Sequence, residues 1–505
     1  MAESLFALFR ACAPADPAAV FLEPPAGAPV TWADVESETG RLQALLARLG
    51  VARGDRVLAQ VEKSPAAVLL YLACLRSGAV FVPLNTAYTA PEVAFFMEDA
   101  APRVVVCDPA RRDELTPAAR CAGVAHVLTL DARGEGTLAA ARDLPPAADP
   151  VPCGAGDVAA ILYTSGTTGR AKGAMLTHGN LAANACALHA AWRWAPGDVL
   201  LHALPVFHAH GLFVALHCAL LNGSRVLFLT RFDAAAVLDL LARATVYMGV
   251  PTHYTRLLAL PGLDRAACRG MRLFLSGSAP LPAATHRAFA ARTGHAILER
   301  YGMTETGMIT SNPYDGPRVA GSVGYALPGV AVRVAGPDGA ELPRGATGVL
   351  EVRGPNVFPG YWRMPERTRE DFRPDGFFVT GDLAVMADDG RVTLVGRARD
   401  LVISGGYNVY PKEVEDVLDA VPGVRESAVI GLPHADLGEA VTAVIVPDGS
   451  RALGEGDVRA ALAGRLARFK QPRRVHFVDA LPRNAMGKVR KDELRARFAA
   501  TYDEP

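Results

Sequence analysis

The chain of 505 residues is too long for one ordinary core, and half of it is hydrophobic, so two or more globular domains are expected. Lys plus Arg and Asp plus Glu both number 52, and this zero formal charge argues against a nucleic-acid binder. The eight cysteines form no C-x-x-C pair and read as reduced, buried thiols of a cytoplasmic protein, not as a disulfide framework or zinc site.

The first residues, Met-Ala-Glu-Ser-Leu-Phe, carry no basic region and no long apolar run, so no signal peptide is expected. No stretch reaches about 18 uninterrupted apolar residues, so no membrane span is expected. Thr31-Trp-Ala-Asp34 predicts a helix-starting capping box. Leu42, Leu45, Leu46 and Leu49 then fall on one helical face, and Gly50 is a C-terminal stop. Strands are predicted at Arg56–Val61, Val80–Pro83 and Arg103–Cys107, with a helix ending near Gly78. Helices between short apolar strands imply an α/β layered fold. Residues 133–157, rich in Gly, Pro and Ala, read as a surface loop before a strand from Val158 to Tyr163. A second α/β series runs from about 175 to 300. From about 320 to 395 short strands alternate with turns such as Asp338-Gly339 and Asp389-Gly390. Residues 397–404 form a charged link. A compact α+β unit follows, with a helix beginning at Pro411 and marked by Val414, Val417, Leu418 and Val421.

The most informative segment is Tyr163-Thr-Ser-Gly-Thr-Thr-Gly-Arg-Ala-Lys-Gly173, directly after a predicted strand. Glycines let backbone N–H groups approach phosphate oxygens, hydroxyls donate hydrogen bonds, and Lys172 supplies charge. It does not fit G-x-x-x-x-G-K-[ST]. On composition alone, a flexible Gly/Ser/Thr loop is an equal reading.

The segment resembles the phosphate loop of the ANL superfamily of acyl-CoA synthetases, peptide-synthetase adenylation domains and luciferases. The other motifs of that superfamily follow in order. Leu204-Pro-Val-Phe-His-Ala-His-Gly211 resembles its acyl-pocket histidine segment. Ser276-Gly-Ser-Ala-Pro280 and Arg300-Tyr-Gly-Met-Thr-Glu305 resemble its adenine and metal segments. Thr380-Gly-Asp382 resembles the ribose motif, Gly396-Arg-Ala-Arg-Asp400 the hinge, and Pro482-Arg-Asn-Ala-Met-Gly-Lys488 the catalytic-lysine motif. The resemblance covers nearly the whole chain. It implies an N-terminal adenylation domain over 1–396, a hinge over 397–400 and a small mobile α+β domain over 401–505.

It also implies roles. Lys488, Thr164, Glu305 and His208 would be catalytic, and Glu305 would ligate Mg²⁺ as a hard oxygen for a hard cation. ATP would be held by Thr164, Ser165, Gly166, Thr167, Thr168, Gly169 and Lys172, then by Ser278, Ala279 and Pro280. Glu299, Tyr301, Gly302, Met303 and Thr304 would complete the site with Asp382 and Arg397, which hold the ribose. Arg399 would be the hinge residue, a mild departure from the Lys or Asp usual there. Gly405 and Gly406 would line the pantetheine tunnel of coenzyme A. Lys470 belongs to Arg465-Leu-Ala-Arg-Phe-Lys-Gln-Pro-Arg-Arg474, whose five basic residues suit either the nucleotide phosphates of coenzyme A or a solvated helix end.

Arg300 is the specificity clue. An arginine beside an acyl pocket is costly unless paired. A short dicarboxylic acid offers a second carboxylate to a bidentate guanidinium, with Ser278, Arg256 and His208 as further candidates. A structural ion pair, for example with Glu299, is the competing reading. The segments around His208 and Arg300 closely resemble those of malonyl-CoA synthetases. The expected activity is therefore AMP-forming ligation of malonate, with methylmalonate tolerated, to coenzyme A, by a monomer or homodimer without membrane or nucleic-acid partners. A short- or medium-chain or aromatic acid, or a carrier protein loaded in trans, are the alternatives. No carrier domain is read after residue 505.

Overall fold

The computed structural model describes residues 4–164, 171–404, 407–434, 437–463, 465–466, 468–484 and 487–502. It is a mixed α/β chain with a large N-terminal domain and a smaller C-terminal one. Among the described residues the large domain holds three sheets. The first has seven strands, in the order Gly360–Tyr361, Lys172–Thr177, Val158–Thr164, Val80–Pro83, Arg56–Gln60, Val104–Cys107, His126–Thr129. Its central strands are parallel and read as unbroken apolar runs because both faces are covered. Val57, Ala59, Val104 and Val106 enter one core, and Leu58, Val105 and Cys107 the other. A nine-stranded sheet carries the parallel neighbours Leu273–Ser276, Val246–Gly249, Val199–His202 and Arg225–Phe228. A four-stranded antiparallel sheet spans Ala331–Ala335 to Val392–Arg397.

The small domain is built on the long hairpin Val424–His434 and Gly438–Pro447. The two-residue period splits its side chains between two cores. Val429, Val441, Ala443 and Ile445 face the helix Pro411–Leu418, while Ala428, Ile430, Val444 and Val446 face Leu481 and Leu494.

Local expectations hold where the signal is local. The capping box forms at Thr31 and Asp34, and Gly50 and Gly78 take φ of +73° and +67° at helix ends. The loop expected over 133–157 contains instead a 3₁₀-helix, Thr137–Asp143, with Leu138 and Ala141 buried. Buried Arg76 pins its downstream end by donating to the Ala147 and Ala148 carbonyls. Residues 397–404 are not a mere link, since Val402–Ser404 is a strand paired with Tyr407–Val409. All eight cysteines are free, but Cys121 and Cys186 are exposed, correcting the expectation of burial. Among the described residues no helix is long and apolar enough to cross a membrane.

His217, fully buried, has its Nε2 2.7 Å from the Tyr71 hydroxyl, and burial pushes it down to about 3. The unfolded imidazole protonates below about 6.5 and the folded one does not. Stability from its neutral form is therefore present above pH 6.5 and lost as pH falls, by about 2 kcal/mol at pH 5. Thermal midpoints at pH 7.5 and pH 5 should fall less in His217→Gln than in the parent. Parallel losses would show that His217 does not contribute.

Candidate active site

The site gathers at the carboxyl ends of neighbouring parallel strands, where open α/β sheets present their loops. The strand Val199–His202 delivers the loop to Gly211, Val246–Gly249 delivers the helix Pro251–Leu258, and Leu273–Ser276 delivers Gly277 and Ser278. Beside the last of these runs Leu298–Met303, with Ser276 opposite Glu299. Its hairpin partner, Gly307–Ser311, approaches so closely that a Cβ at Gly302 would overlap the Gly307 carbonyl. That closure sets Met303, Thr304 and Glu305 at the turn.

Glu305 is buried, and burial raises its pKa. Its Oε1 accepts from the Thr164 hydroxyl at 3.3 Å and the Tyr361 hydroxyl at 3.2 Å. Lys172 lies behind this pair, donating to the Tyr361 hydroxyl at 3.1 Å and standing 3.6 Å from Asp371. The structure thus places Lys172 in a buried brace beside Glu305.

Asp382 accepts from the buried Tyr301 hydroxyl and lies 3.3 Å from the Arg397 Nε, its partner across the strands. Glu299 accepts from the Gly321 N–H at 3.1 Å, and burial pushes its carboxyl up to about 8.

Arg300 is 4% exposed. Its Nε and one terminal nitrogen find no partner among the described residues, and no carboxylate there pairs with it. The ion pair with Glu299 is not formed, because adjacent strand residues point to opposite faces. Burial pulls the guanidinium down to about 10, so it stays charged at neutral pH. It lies against Gly277, where a built Cβ would overlap it. Ser278 takes φ of +71° and sets its hydroxyl 3.1 Å from the His210 Nδ1. The sparsely populated backbone marks a position held by its surroundings. Burial, then the charges of Lys488 and Arg300, push His208 down to about 3, so it is a neutral imidazole. Arg256 is exposed, with its guanidinium 6.0 Å over Phe232.

Lys488 is exposed on a hairpin bridged between Arg483 and Val489. Gly487 turns it at φ of +75°, and a Cβ there would sit 3.6 Å from the Thr252 hydroxyl. The small domain's lysine loop therefore rests over the large domain's site, on the His208 side.

Residues 9–362 match the AMP-binding enzyme family, and residues 413–488 match the AMP-binding enzyme C-terminal domain. The chain belongs to the AMP-binding enzymes. It is 40% identical to a feruloyl-CoA synthase of an Amycolatopsis species over 94% of both chains. It is 37% identical to a mitochondrial malonate–CoA ligase of Mus musculus, over 88% of this chain and 82% of that one. ATP-bound MatB from Rhodopseudomonas palustris superposes with a TM-score of 0.96 at 54% identity, covering 99% of both chains, and apo MatB with 0.85. The chain is an AMP-forming acyl-CoA ligase, an activity that requires ATP and coenzyme A.

Several expected residues of the ligase lie outside the described residues: Ser165, Gly166, Thr167, Thr168, Gly169, Gly405 and Gly406. Arg399 belongs to the 3₁₀ turn Ala398–Asp400, but its side chain is outside them too. Ala279 is half-buried and Pro280 exposed just beyond Ser278. Lys470 is engaged within the ligase's small domain, its ammonium 2.6 and 2.8 Å from the two Glu413 oxygens. Sequence reasoning missed Tyr361 as a holder of Glu305 and Gly277 as the bed of Arg300. Gly277 sat inside a quoted motif, and its lack of a side chain was the available signal.

Proposed function

We propose that the ligase activates malonate, and with it methylmalonate, as an acyl-adenylate and transfers the acyl group to coenzyme A. One observation carries this reading: Arg300 is a buried cation with two donor nitrogens left without partners beside the acyl-pocket histidines. Leaving a buried charge uncompensated costs several kcal/mol. The second carboxylate of a short diacid removes that cost by taking the guanidinium, and Ser278 and neutral His208 add polar contacts. The malonate–CoA ligase of Mus musculus among the relatives supports the same substrate. The slightly more identical feruloyl-CoA synthase favours an aromatic acid. An aromatic monocarboxylate, however, brings no anion for Arg300 once its own carboxylate is at the phosphate.

In the first half-reaction one malonate carboxylate attacks the α-phosphorus of ATP and pyrophosphate leaves. Both partners are anionic, so the chain's work is charge neutralisation and alignment. Lys488 supplies charge at the α-phosphate and acyl oxygens, and Thr164, Thr304 and the loop residues 165–169 hold phosphate oxygens. Tyr301, Asp382 and Arg397 fix the ribose. Glu305 would hold Mg²⁺. A single buried carboxylate suits an ion that takes most of its ligands from phosphates and water, and no group of three metal-ligating acids, histidines or cysteines occurs among the described residues. When bound, the ion neutralises phosphate charge. In the second half-reaction the coenzyme A thiol attacks the acyl carbon and AMP leaves. We assign the hinge to residues 397–400 with Arg399, between domains 1–396 and 401–505. Gly405 and Gly406 then flank the thiol, and Lys470 reaches the nucleotide of coenzyme A by leaving Glu413.

Purified ligase given ATP, Mg²⁺ and coenzyme A with malonate, methylmalonate, succinate, acetate, octanoate, benzoate or ferulate tests the reading by mass detection of AMP and thioester. Malonyl-CoA well above every monocarboxyl thioester is expected. Feruloyl-CoA or benzoyl-CoA formed without malonyl-CoA discards the diacid pocket and keeps the ligase.

A further inference from the structure

A buried lysine lies behind the acyl pocket, where burial pulls its pKa well down from the ordinary value. Lys63 follows the strand Arg56–Gln60 of the seven-stranded sheet and directly precedes Ser64, the cap of the helix Pro65–Ser77. It is 7% exposed, yet it crosses to the nine-stranded sheet. There its Nζ sits 2.7 Å from the His202 Nδ1, 3.0 Å from the His202 carbonyl and 4.4 Å over the Phe228 ring. No carboxylate among the described residues pairs with it. The Gly211 carbonyl, 3.0 Å from the His202 Nε2, can only accept, so the proton of the neutral, buried imidazole is on Nε2 and its Nδ1 accepts from the Lys63 amine.

Gly211 is in the first turn of the π-helix His210–Leu216, and its Cα is pressed so closely on the Pro205 carbonyl that a Cβ would overlap it. The loop closed between these points carries both pocket histidines. The His210 N–H is 3.3 Å from the His208 Nδ1, and the His210 Nδ1 is 3.1 Å from the Ser278 hydroxyl. The charge of Arg300 acts on both rings. Holding Gly211 therefore holds His208 and His210 against Arg300.

We infer that Lys63 and His202 are positioning residues for acyl-acid specificity: Lys63 donates to the His202 Nδ1, and His202 ties Gly211 so that the histidine loop keeps the pocket at the dimensions of a short acid. Neither residue touches substrate. Placing the second layer on a different sheet from the loop it holds makes the pocket wall a property of both layers. The inference rests on the acyl-pocket reading given above but not on malonate itself, since it is measured with whichever acid the parent enzyme turns over best.

The test is steady-state kinetics of Lys63→Met, His202→Gln and His202→Asn. Lys63→Met should raise KM for the acid about tenfold and shift the preference between acids, with KM for ATP within about twofold, the size expected when a binding group is misplaced without loss of the nucleotide site. Gln keeps an amide N–H where Nε2 stood and should retain parental selectivity, while Asn is too short to reach Gly211 and should behave like Lys63→Met. Equal losses for acid, ATP and turnover would overturn the inference in favour of a general structural role. Indistinguishable behaviour of the Gln and Asn variants would overturn it as well, and that comparison stands even if Lys63→Met fails to fold. A parent enzyme that prefers a monocarboxylate would displace the malonate reading and leave this test unchanged.

Discussion

Arg300→Met should cut kcat/KM for malonate by about a thousandfold, the cost of removing one partner from a buried, hydrogen-bonded charge pair. The methionine keeps most of the buried volume while deleting the charge, so the nucleotide half of the site should bind ATP as before. Loss of the cation also removes the penalty against an apolar tail, so butyrate should become a better substrate than malonate. Pyrophosphate release with each acid, together with calorimetric titration of ATP, reads both halves. Malonate turnover within about threefold of the parent would end the diacid argument. A variant that also lost ATP binding would instead show Arg300 to be a structural support of the strand Leu298–Met303.

Lys488→Ala should lower adenylate formation by about a thousandfold, the upper range for removing one donor from a transition-state oxyanion. The lysine is exposed on the small domain, and the thermal midpoint measured alongside separates loss of a catalytic group from loss of the fold. Thioester formation from synthetic malonyl-adenylate should survive, since the second half-reaction is assigned to the hinge side of that domain. Near-normal pyrophosphate release would remove Lys488 from the first step. Equal loss of both half-reactions would mean that it serves each of them.

What the sequence made legible was local or motif-borne. The Thr31–Asp34 capping box, the glycine stops at 50 and 78 and the Pro411 helix start each depend on neighbours within one turn of chain, and the fold realises them. The helix Pro365–Asp371 went unread because it buries none of its side chains and so carries no apolar period. The 3₁₀-helix in the 133–157 loop is too short to show one. Contacts made across the fold had no signature at all. Lys63 and His202 are 139 residues apart, and only the meeting of two sheets brings them together. Arg300 could be singled out by its type and place, but that its charge would be left without a partner depended on Glu299 turning away to the Gly321 amide. Lys172 was legible as a cation in a phosphate-loop segment, whereas its packing on Tyr361 depended on a strand almost two hundred residues later.

The seating of Arg300 against the bare Cα of Gly277 biases the order in which this pocket can change during evolution. A side chain at 277 meets the guanidinium, so substitution there displaces the arginine from this seat. Shortening position 300 first leaves 277 free to fill the space with an apolar group suited to a neutral acyl tail. In the reverse direction, an arginine arriving at 300 takes this seat where 277 is glycine. The two sites are thus coupled in sign as well as size, and Gly277→Ala should be deleterious in the parent yet tolerated once Arg300→Met is already in place.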